Sequence, residues 1–436
     1  MKRASLRMLA CISLLVWIAS LPGAESPNDA TKPAARVRSA AAMVVPPKLI
    51  GALKSKTDEQ RLQALHLLSP SLVQQPAVAN ALRETIARDL RQKRVTLGTQ
   101  LALRSLSYSG RDDDIEYLRE RLKESDATVA LTAAEALSEQ RDVAAMPGVA
   151  DLAKRKEYST SYGFRRTVVD AAARIPDKSA IEFLISVARQ SNGQLRFETV
   201  QHLSRLTGQN FGGFADQWAE WWQTNGERFQ ATATDDAPAA SALPRSLGAP
   251  VARIPWPEEV PEFFDVPVYG YRVVFVIDHS RSMASSVDGI TRLKEAQSQL
   301  NKAVDALSPY AYFNVLSYNS DVQAFARGLV QADEANKRGV HRFCDRLSPA
   351  GKTACYDALY AGLMTDENLE SMYFLSDGEP NVGRIVEMPA IVSAITTQNV
   401  TQRTTIYTLG IDSRGEHEEF LRQLADRNFG QFFQIR

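Results

Sequence analysis

RVVFVIDHSRSM, residues Arg272 to Met283, is the stretch from which the rest of the chain is read. Five apolar residues, Val273 to Ile277, run into Asp278, with Ser280 and Ser282 at alternate positions beyond it. A continuous apolar run bounded by polar residues is the signature of a strand buried on both faces. Open parallel sheets bind ligands beyond the carboxyl ends of their strands. The segment therefore aims an acid and two hydroxyls, all hard oxygen donors, at a ligand position, and such donors suit Mg²⁺, Ca²⁺ or Mn²⁺. The D-x-S-x-S spacing alone carries little weight, since average residue frequencies yield it by chance in about one chain in ten of this length. Two downstream features add to it. Gly351-Lys352-Thr353 ends a loop before the helical run Ala354 to Met364, and the apolar run Met372 to Leu375 ends in Ser376-Asp377-Gly378-Glu379-Pro380. They supply a third hydroxyl, Thr353, and a second carboxylate, Asp377.

With these residues in hand, the region resembles a von Willebrand factor type A domain, and Asp278, Ser280, Ser282, Thr353 and Asp377 resemble its metal ion-dependent adhesion site. The phrases YGYRVVFVID, YDAL and LSDGEP fit the same family. The resemblance implies that Ser280, Ser282 and Thr353 coordinate Mg²⁺ (or Mn²⁺ or Ca²⁺) through hydroxyls. Asp278 and Asp377 would act through waters and hydrogen bonds, and a partner's Asp or Glu would fill an open position. Mg²⁺ chemistry agrees, because this ion keeps waters and seldom sits in an all-protein cage. Arg281 departs from the pattern, standing where many relatives have Gly, and adds a cation at the mouth of the site.

The order of elements supports an α/β doubly wound, mostly parallel sheet over residues 265–436. Strands are expected at Tyr312 to Tyr318, Val322 to Phe325, Ser371 to Leu375, Thr405 to Gly410 and Gln431 to Ile435. Helices are expected at Gly289 to Leu307, Gln331 to Leu347, Ala354 to Met364, Val386 to Gln398 and Glu416 to Asp426. Strands alternating with helices of this length imply parallel pairing, with the Val322 strand as an antiparallel edge.

Residues 47–210 read instead as an N-terminal α-solenoid. Leu65 to Leu68, Leu103 to Leu106, Ala134 to Leu137, Ala172 to Ile175 and Leu203 to Leu206 repeat one theme, their last members 38, 31, 38 and 31 residues apart. Periods in this range point to stacked helix pairs, and the segment resembles HEAT-like repeats. An irregular helical bundle is the alternative. Trp218, Trp221 and Trp222 fall on one helical face within residues 211–229, which reads as a capping helix or, alternatively, an aromatic platform for a sugar or peptide. Residues 230–264 are rich in Pro and Ala and read as a linker, with Ile254 to Gly270 extended against the α/β domain. Residues 25–46 read as a disordered linker.

Lys2, Arg3 and Arg7 precede the apolar run Met8 to Leu21 and the small-residue exit Pro22-Gly23-Ala24. Residues 1–24 are thus expected to be a secretory signal peptide, and the protein to be exported to the periplasm, the cell envelope or the medium. No later stretch reaches the length of a membrane span. Removing the signal leaves Cys344 and Cys355, either a disulfide or two buried thiols. The chain carries 51 basic and 51 acidic residues, a balance without the electrostatic footprint of a nucleic-acid binder.

No nucleophile elbow, phosphate-binding loop or zinc-protease motif is present, and His279, between two ligand positions in a strand-exit loop, is a poor general base. The chain therefore reads as a non-enzyme. Three functions fit: metal-dependent capture of an acidic protein partner, a scaffold working through its helices with a silent metal site, or an accessory subunit of a larger assembly. The signal peptide disfavours the last.

Overall fold

A computed structural model describes residues 45–229 and 254–435. The expected signal peptide, residues 25–44 and the linker positions 230–253 lie outside the described residues. The chain divides into two compact units, residues 1–148 and 149–436. That boundary falls inside the helical run expected over residues 47–210, not after it.

The first unit is helical among its described residues: α1 (Pro47–Leu53), α2 (Asp58–His66), α3 (Pro70–Val73), α4 (Pro76–Arg91), α5 (Leu97–Leu106), α6 (Asp112–Arg121) and α7 (Ala127–Glu139). Side-chain caps set several starts, as where the Thr96 hydroxyl accepts from the Thr99 N–H and Asp126 accepts from Thr128 and Val129. The repeated segments at Leu68, Leu106 and Leu137 fall at the C-terminal ends of α2, α5 and α7, which pack in succession. Polar contacts carry the same spacing. Arg83 meets Asp114 at 3.3 Å, Arg111 meets Asn80 at 2.7 Å and Arg104 meets Glu135 at 2.6 Å, each pair 31 positions apart.

The second unit begins with α8 (Met146–Asp151), which spans the boundary, and continues through α9 (Lys156–Thr160), α10 (Tyr162–Arg174), α11 (Lys178–Gln190), α12 (Gly193–Thr207) and α13 (Ala215–Asn225). Similar spacing persists here, with Arg166 on Glu198 at 2.9 Å and His202 on Asp170 at 3.1 Å, each 32 positions apart. In α13, Trp218 is fully buried and its indole N–H donates to the Gly212 carbonyl at 2.9 Å.

The short pair β1 (Glu262–Phe263) and β2 (Val266–Pro267) leads into β3 (Arg272–Asp278). A hairpin follows, β4 (Ser286–Val287) and β5 (Ile290–Thr291), then α14 (Arg292–Ala306), β6 (Tyr312–Tyr318), β7 (Val322–Ala324), β8 (Val330–Gln331) and α15 (Glu334–Cys344). The chain ends with α16 (Cys355–Leu363), β9 (Ser371–Ser376), α17 (Met388–Asn399), β10 (Thr405–Ile411), α18 (Gly415–Arg427) and β11 (Phe432–Ile435). The sheet runs β11-β10-β9-β3-β6-β7, with β8 also on β6. Neighbours from β11 to β6 are parallel, and β7 and β8 each pair antiparallel with β6. The fold is the mixed, mostly parallel sheet expected, with the Val322 strand at its antiparallel edge.

Side chains alternate between two apolar layers, as strand geometry requires. Val273, Phe275 and Ile277 pack under α14 and α15, and Val274 and Val276 pack under α16, α17 and α18. This alternation settles the cysteines. Cys344 lies in the first layer and Cys355 in the second, on opposite faces of the sheet, and both are buried free thiols. The disulfide alternative is corrected by the sheet that stands between them. Burial pushes the Cys344 thiol up to about 12.

Helices α10 and α12 are built onto the amino ends of the strands. The Arg166 guanidinium donates to the Arg403 carbonyl (2.5 Å) and the Thr405 hydroxyl (2.8 Å), and that hydroxyl donates to Glu198 (2.9 Å). The Gln194 amide donates to the Tyr407 hydroxyl at 3.0 Å. Gly163 lets α10 approach so closely that a Cβ there would collide with the Thr401 carbonyl. The segment from Ile254 straps both parts together. Pro255 accepts from Gly213 N–H at 2.8 Å, Trp256 packs on Tyr269 (4.8 Å), and Tyr269 stacks on Phe197 at 3.9 Å. These buried contacts are why the unit boundary precedes α10. Among the described residues, no helix is long and apolar enough to cross a membrane.

One acid of this base makes stability depend on pH. Glu370 Oε2 accepts the backbone N–H groups of Gln194 (3.1 Å) and Tyr271 (2.9 Å), yet burial pushes its carboxyl from the usual 4.5 up to about 7. The fold therefore keeps a proton that the unfolded chain has lost. The contribution is fully present below 4.5 and disappears as pH rises through about 7. Glu370→Gln is expected to flatten this part of the pH–stability curve and to gain on the wild type above the window, read by urea unfolding in steps across it. An unchanged slope would assign the dependence to other groups.

Candidate metal centre

The two central strands diverge in order at β3, where the chain goes first to β6 on one side and then to β9 on the other. That is the switch point at which open α/β sheets form a crevice. Asp278 closes β3, and Asp377 follows Ser376, the last residue of β9. The predicted residues converge here.

Asp278 is fully buried and Oδ1 accepts the Ser280 N–H at 2.7 Å, which turns the loop so that both serine hydroxyls face the crevice. The Ser280 and Ser282 hydroxyls lie 3.0 Å apart, and Ser282 donates to Asp377 Oδ1 at 2.6 Å. The Ser376 hydroxyl donates to Asp278 Oδ2 at 3.4 Å. Thr353 enters from the loop before α16. A Cβ on Gly378 would stand 3.7 Å from the Ser282 hydroxyl and 3.9 Å from the Thr353 hydroxyl, so both face the same small residue. Asn381 clamps Thr353 from both sides, its side-chain oxygen accepting the Thr353 N–H (2.9 Å) and its own N–H donating to the Thr353 carbonyl (3.1 Å).

The loops are tied together by backbone bonds from His279 to Tyr318, from Ala350 to His279 and from Arg281 to Gly351. The His279 ring is turned to the Ser348 carbonyl, which accepts from Nδ1 at 3.1 Å, and burial lowers its proton affinity. Arg281 and Lys352, next in sequence to Ser280, Ser282 and Thr353, are exposed.

Burial, and then the nearby Asp377, push the Asp278 carboxyl up to about 7. The fold thus holds two carboxylates close together in a sheltered place, an arrangement that favours a cation. One protein cation is already present. Arg292 donates to Asp377 Oδ2 at 3.0 Å and to Asp412 at 2.5 Å. Among the described residues, no group of three or more His, Cys, Asp or Glu converges. The donor set is hydroxyl-rich and all oxygen, which fits Mg²⁺, Mn²⁺ or Ca²⁺ and not a nitrogen- or sulfur-seeking metal.

Sequence reading missed Ser376, Asn381, Arg292 and Asp412. Ser376 sits in the same SDG turn as Asp377 and was within reach, whereas the other three acquire their roles only when separate loops meet.

Residues 271–432 match the family model of the von Willebrand factor type A domain. Over 169 residues the chain is 25% identical to inter-alpha-trypsin inhibitor heavy chain H2 of Mesocricetus auratus, spanning 36% of this chain and 17% of that one. It is 29% identical over 149 residues to heavy chain H1 of Bos taurus, spanning 32% and 16%. Among solved structures, a von Willebrand factor type A protein from Catenulispora acidiphila aligns with a TM-score of 0.34 at 24% identity, over 39% of this chain and 40% of that one. The chain thus spans less than one-fifth of the length of these curated relatives. Its C-terminal part is a von Willebrand factor type A domain.

Proposed function

We propose that this protein is exported and captures protein partners through a divalent cation bound beyond the carboxyl ends of β3 and β9. The observation that carries the reading is the hydrogen-bonded chain Ser280–Ser282–Asp377 laid over the buried Asp278. Ser280, Ser282 and Thr353 would hold Mg²⁺, or Mn²⁺ or Ca²⁺, through their hydroxyl oxygens. The ion, when bound, supplies an acceptor for one carboxylate oxygen of a partner's Asp or Glu. Asp278 fixes the loop through the Ser280 N–H, and Asp377 takes the Ser282 proton into a hydrogen bond, leaving that oxygen's lone pairs for a cation. Asn381 sets the position of Thr353. The exposed Arg281 and Lys352 draw an acidic partner toward the mouth.

The reading assigns no catalytic base: the His279 ring is held through Nδ1 on the Ser348 carbonyl. The basic and apolar start of the chain supports export. The polar contacts recurring at 31 and 32 positions support helical repeats, and with them a second protein-binding surface.

The test is capture of the full chain on an immobilised Asp-containing peptide, with Mg²⁺ or with EDTA. Capture is expected to require Mg²⁺ and to disappear in Thr353→Ala. Equal capture with EDTA, or none by a folded wild type in Mg²⁺, overturns the reading and favours a scaffold acting through its helices with a silent metal site.

A further inference from the structure

Arg292 is delivered to the site by a device that the helical pattern hides. Asp288 and Gly289 both take positive φ (+51° and +81°), the turn that a two-residue hairpin needs, and fold β4 onto β5. The chain then enters α14 with the Thr291 hydroxyl capping the Lys294 N–H, and the Arg292 N–H donates to the Ser285 carbonyl at 2.9 Å. Arg292 is thereby the first residue of its helix. Its guanidinium reaches back over the crevice and joins two acids from different loops, Asp377 at 3.0 Å and Asp412 at 2.5 Å. The Asp377 side chain is fully buried beneath it, and Arg292 itself is 20% exposed.

We infer that Arg292 is the residue that sets the balance of this site between holding its cation and gripping an acidic partner. This rests on the metal-binding reading above. Asp377 has two oxygens, and each already has a strong donor, Ser282 on Oδ1 and Arg292 on Oδ2. Both bonds are charge-assisted, and the one from Arg292 also sets a full positive charge beside Oδ2. Asp412 braces the guanidinium from the far side, so that Arg292 is fixed and not merely nearby. Two effects follow. The fixed positive charge opposes a dication at the hydroxyls, lowering its affinity. It also withholds the Asp377 charge from that dication, leaving it more electron-poor and a better acceptor for an outside carboxylate.

The removal of Arg292 charge therefore has consequences of opposite sign. Arg292→Gln keeps a side chain able to hydrogen-bond across the two acids but removes the charge. In the full chain, calorimetry with Mg²⁺ is expected to show binding tighter by on the order of tenfold, the scale of one charge acting on a dication across a few ångströms of partly screened protein. At saturating Mg²⁺, affinity for a short Asp-containing peptide is expected to fall several-fold. Arg292→Lys keeps the charge and is expected to stay near the wild type in both measurements. A merely structural role for Arg292 predicts weaker Mg²⁺ binding in Arg292→Gln, the opposite sign. Mg²⁺ binding no tighter in Arg292→Gln, or peptide binding undiminished, overturns the inference while leaving the metal site standing. Absence of Mg²⁺ binding in the wild type and both variants overturns the metal reading itself, and this inference with it.

Discussion

Arg166→Met is expected to destabilise the second unit by about 3–5 kcal/mol, the usual cost of removing one partner from a buried ion pair. Arg166 is 4% exposed and serves four groups at once: Glu198 at 2.9 Å, Asp170 at 4.0 Å, the Thr405 hydroxyl and the Arg403 carbonyl. Methionine fills much of the volume, so packing is largely kept and the loss is electrostatic. Glu198, itself buried, would keep only neutral donors, and burial already raises its proton affinity. Asp170 would retain His202 and Arg403. The double variant Arg166→Met/Glu198→Gln is expected to recover part of the loss, because the carboxylate left without its counterion is then gone. Urea unfolding of the three proteins decides the point. A loss below about 1 kcal/mol, the range of exposed ion pairs, would show that solvent reaches this layer and that the helices sit loosely on the sheet. A chain cut to begin at Ile254 is harmed by the same logic, since it discards α10 and α12 together with Phe197, the partner on which Tyr269 stacks.

The second large effect is at the crevice. Asp278→Asn is expected to weaken Mg²⁺ binding by about 10–100-fold, the range found when groups that support metal ligands are replaced. The melting temperature without metal is expected to stay level or rise. The amide oxygen can still accept the Ser280 N–H, so the loop keeps its turn. What disappears is a carboxylate that burial and Asp377 make costly to ionise. A residue kept at a cost to the fold is best explained by what it holds. Calorimetry with Mg²⁺ and thermal unfolding in EDTA measure the two halves separately. Wild-type affinity in the Asn variant would show that the charge is dispensable and that the five residues are a hydrogen-bonded loop network.

The α/β part was legible because burial on both faces leaves a plain trace. Val273 to Ile277 has no polar residue to interrupt it, and Tyr312 to Tyr318 coincides with β6. Asp278, Ser280, Ser282, Thr353 and Asp377 were legible because each stands at the edge of such an element. The hairpin before α14 was not, and the helix was expected to begin at Gly289. Asp288-Gly289 is a good two-residue turn, but β4 and β5 are two residues long, too short for alternation to register. The sequence left the cysteines open between disulfide and buried thiols, and only the sheet decides for thiols, since the segment between Cys344 and Cys355 carries the chain from one face to the other. The docking of α10 and α12 was hidden more deeply. Arg166, Glu198 and Gln194 look like the solvated stripe of an amphipathic helix, and their partners Thr405, Tyr407 and Glu370 lie 176 to 239 positions away. Pattern along one helix carries no information about such a distant surface.

The strands join these two ends of the unit. β3, β9 and β10 start at Arg272, Ser371 and Thr405, beside the buried layer under α10 and α12, and finish at or next to Asp278, Asp377 and Asp412. A tug on a partner, were one held at the crevice as proposed, would load three parallel, mutually hydrogen-bonded strands whose lower ends are fastened to the helices. Pulled lengthwise, such strands resist in shear, all their cross-links straining together, and do not unzip one bond at a time. On the reading proposed above, the strands would carry tension from a partner at the crevice straight into the buried layer under α10 and α12.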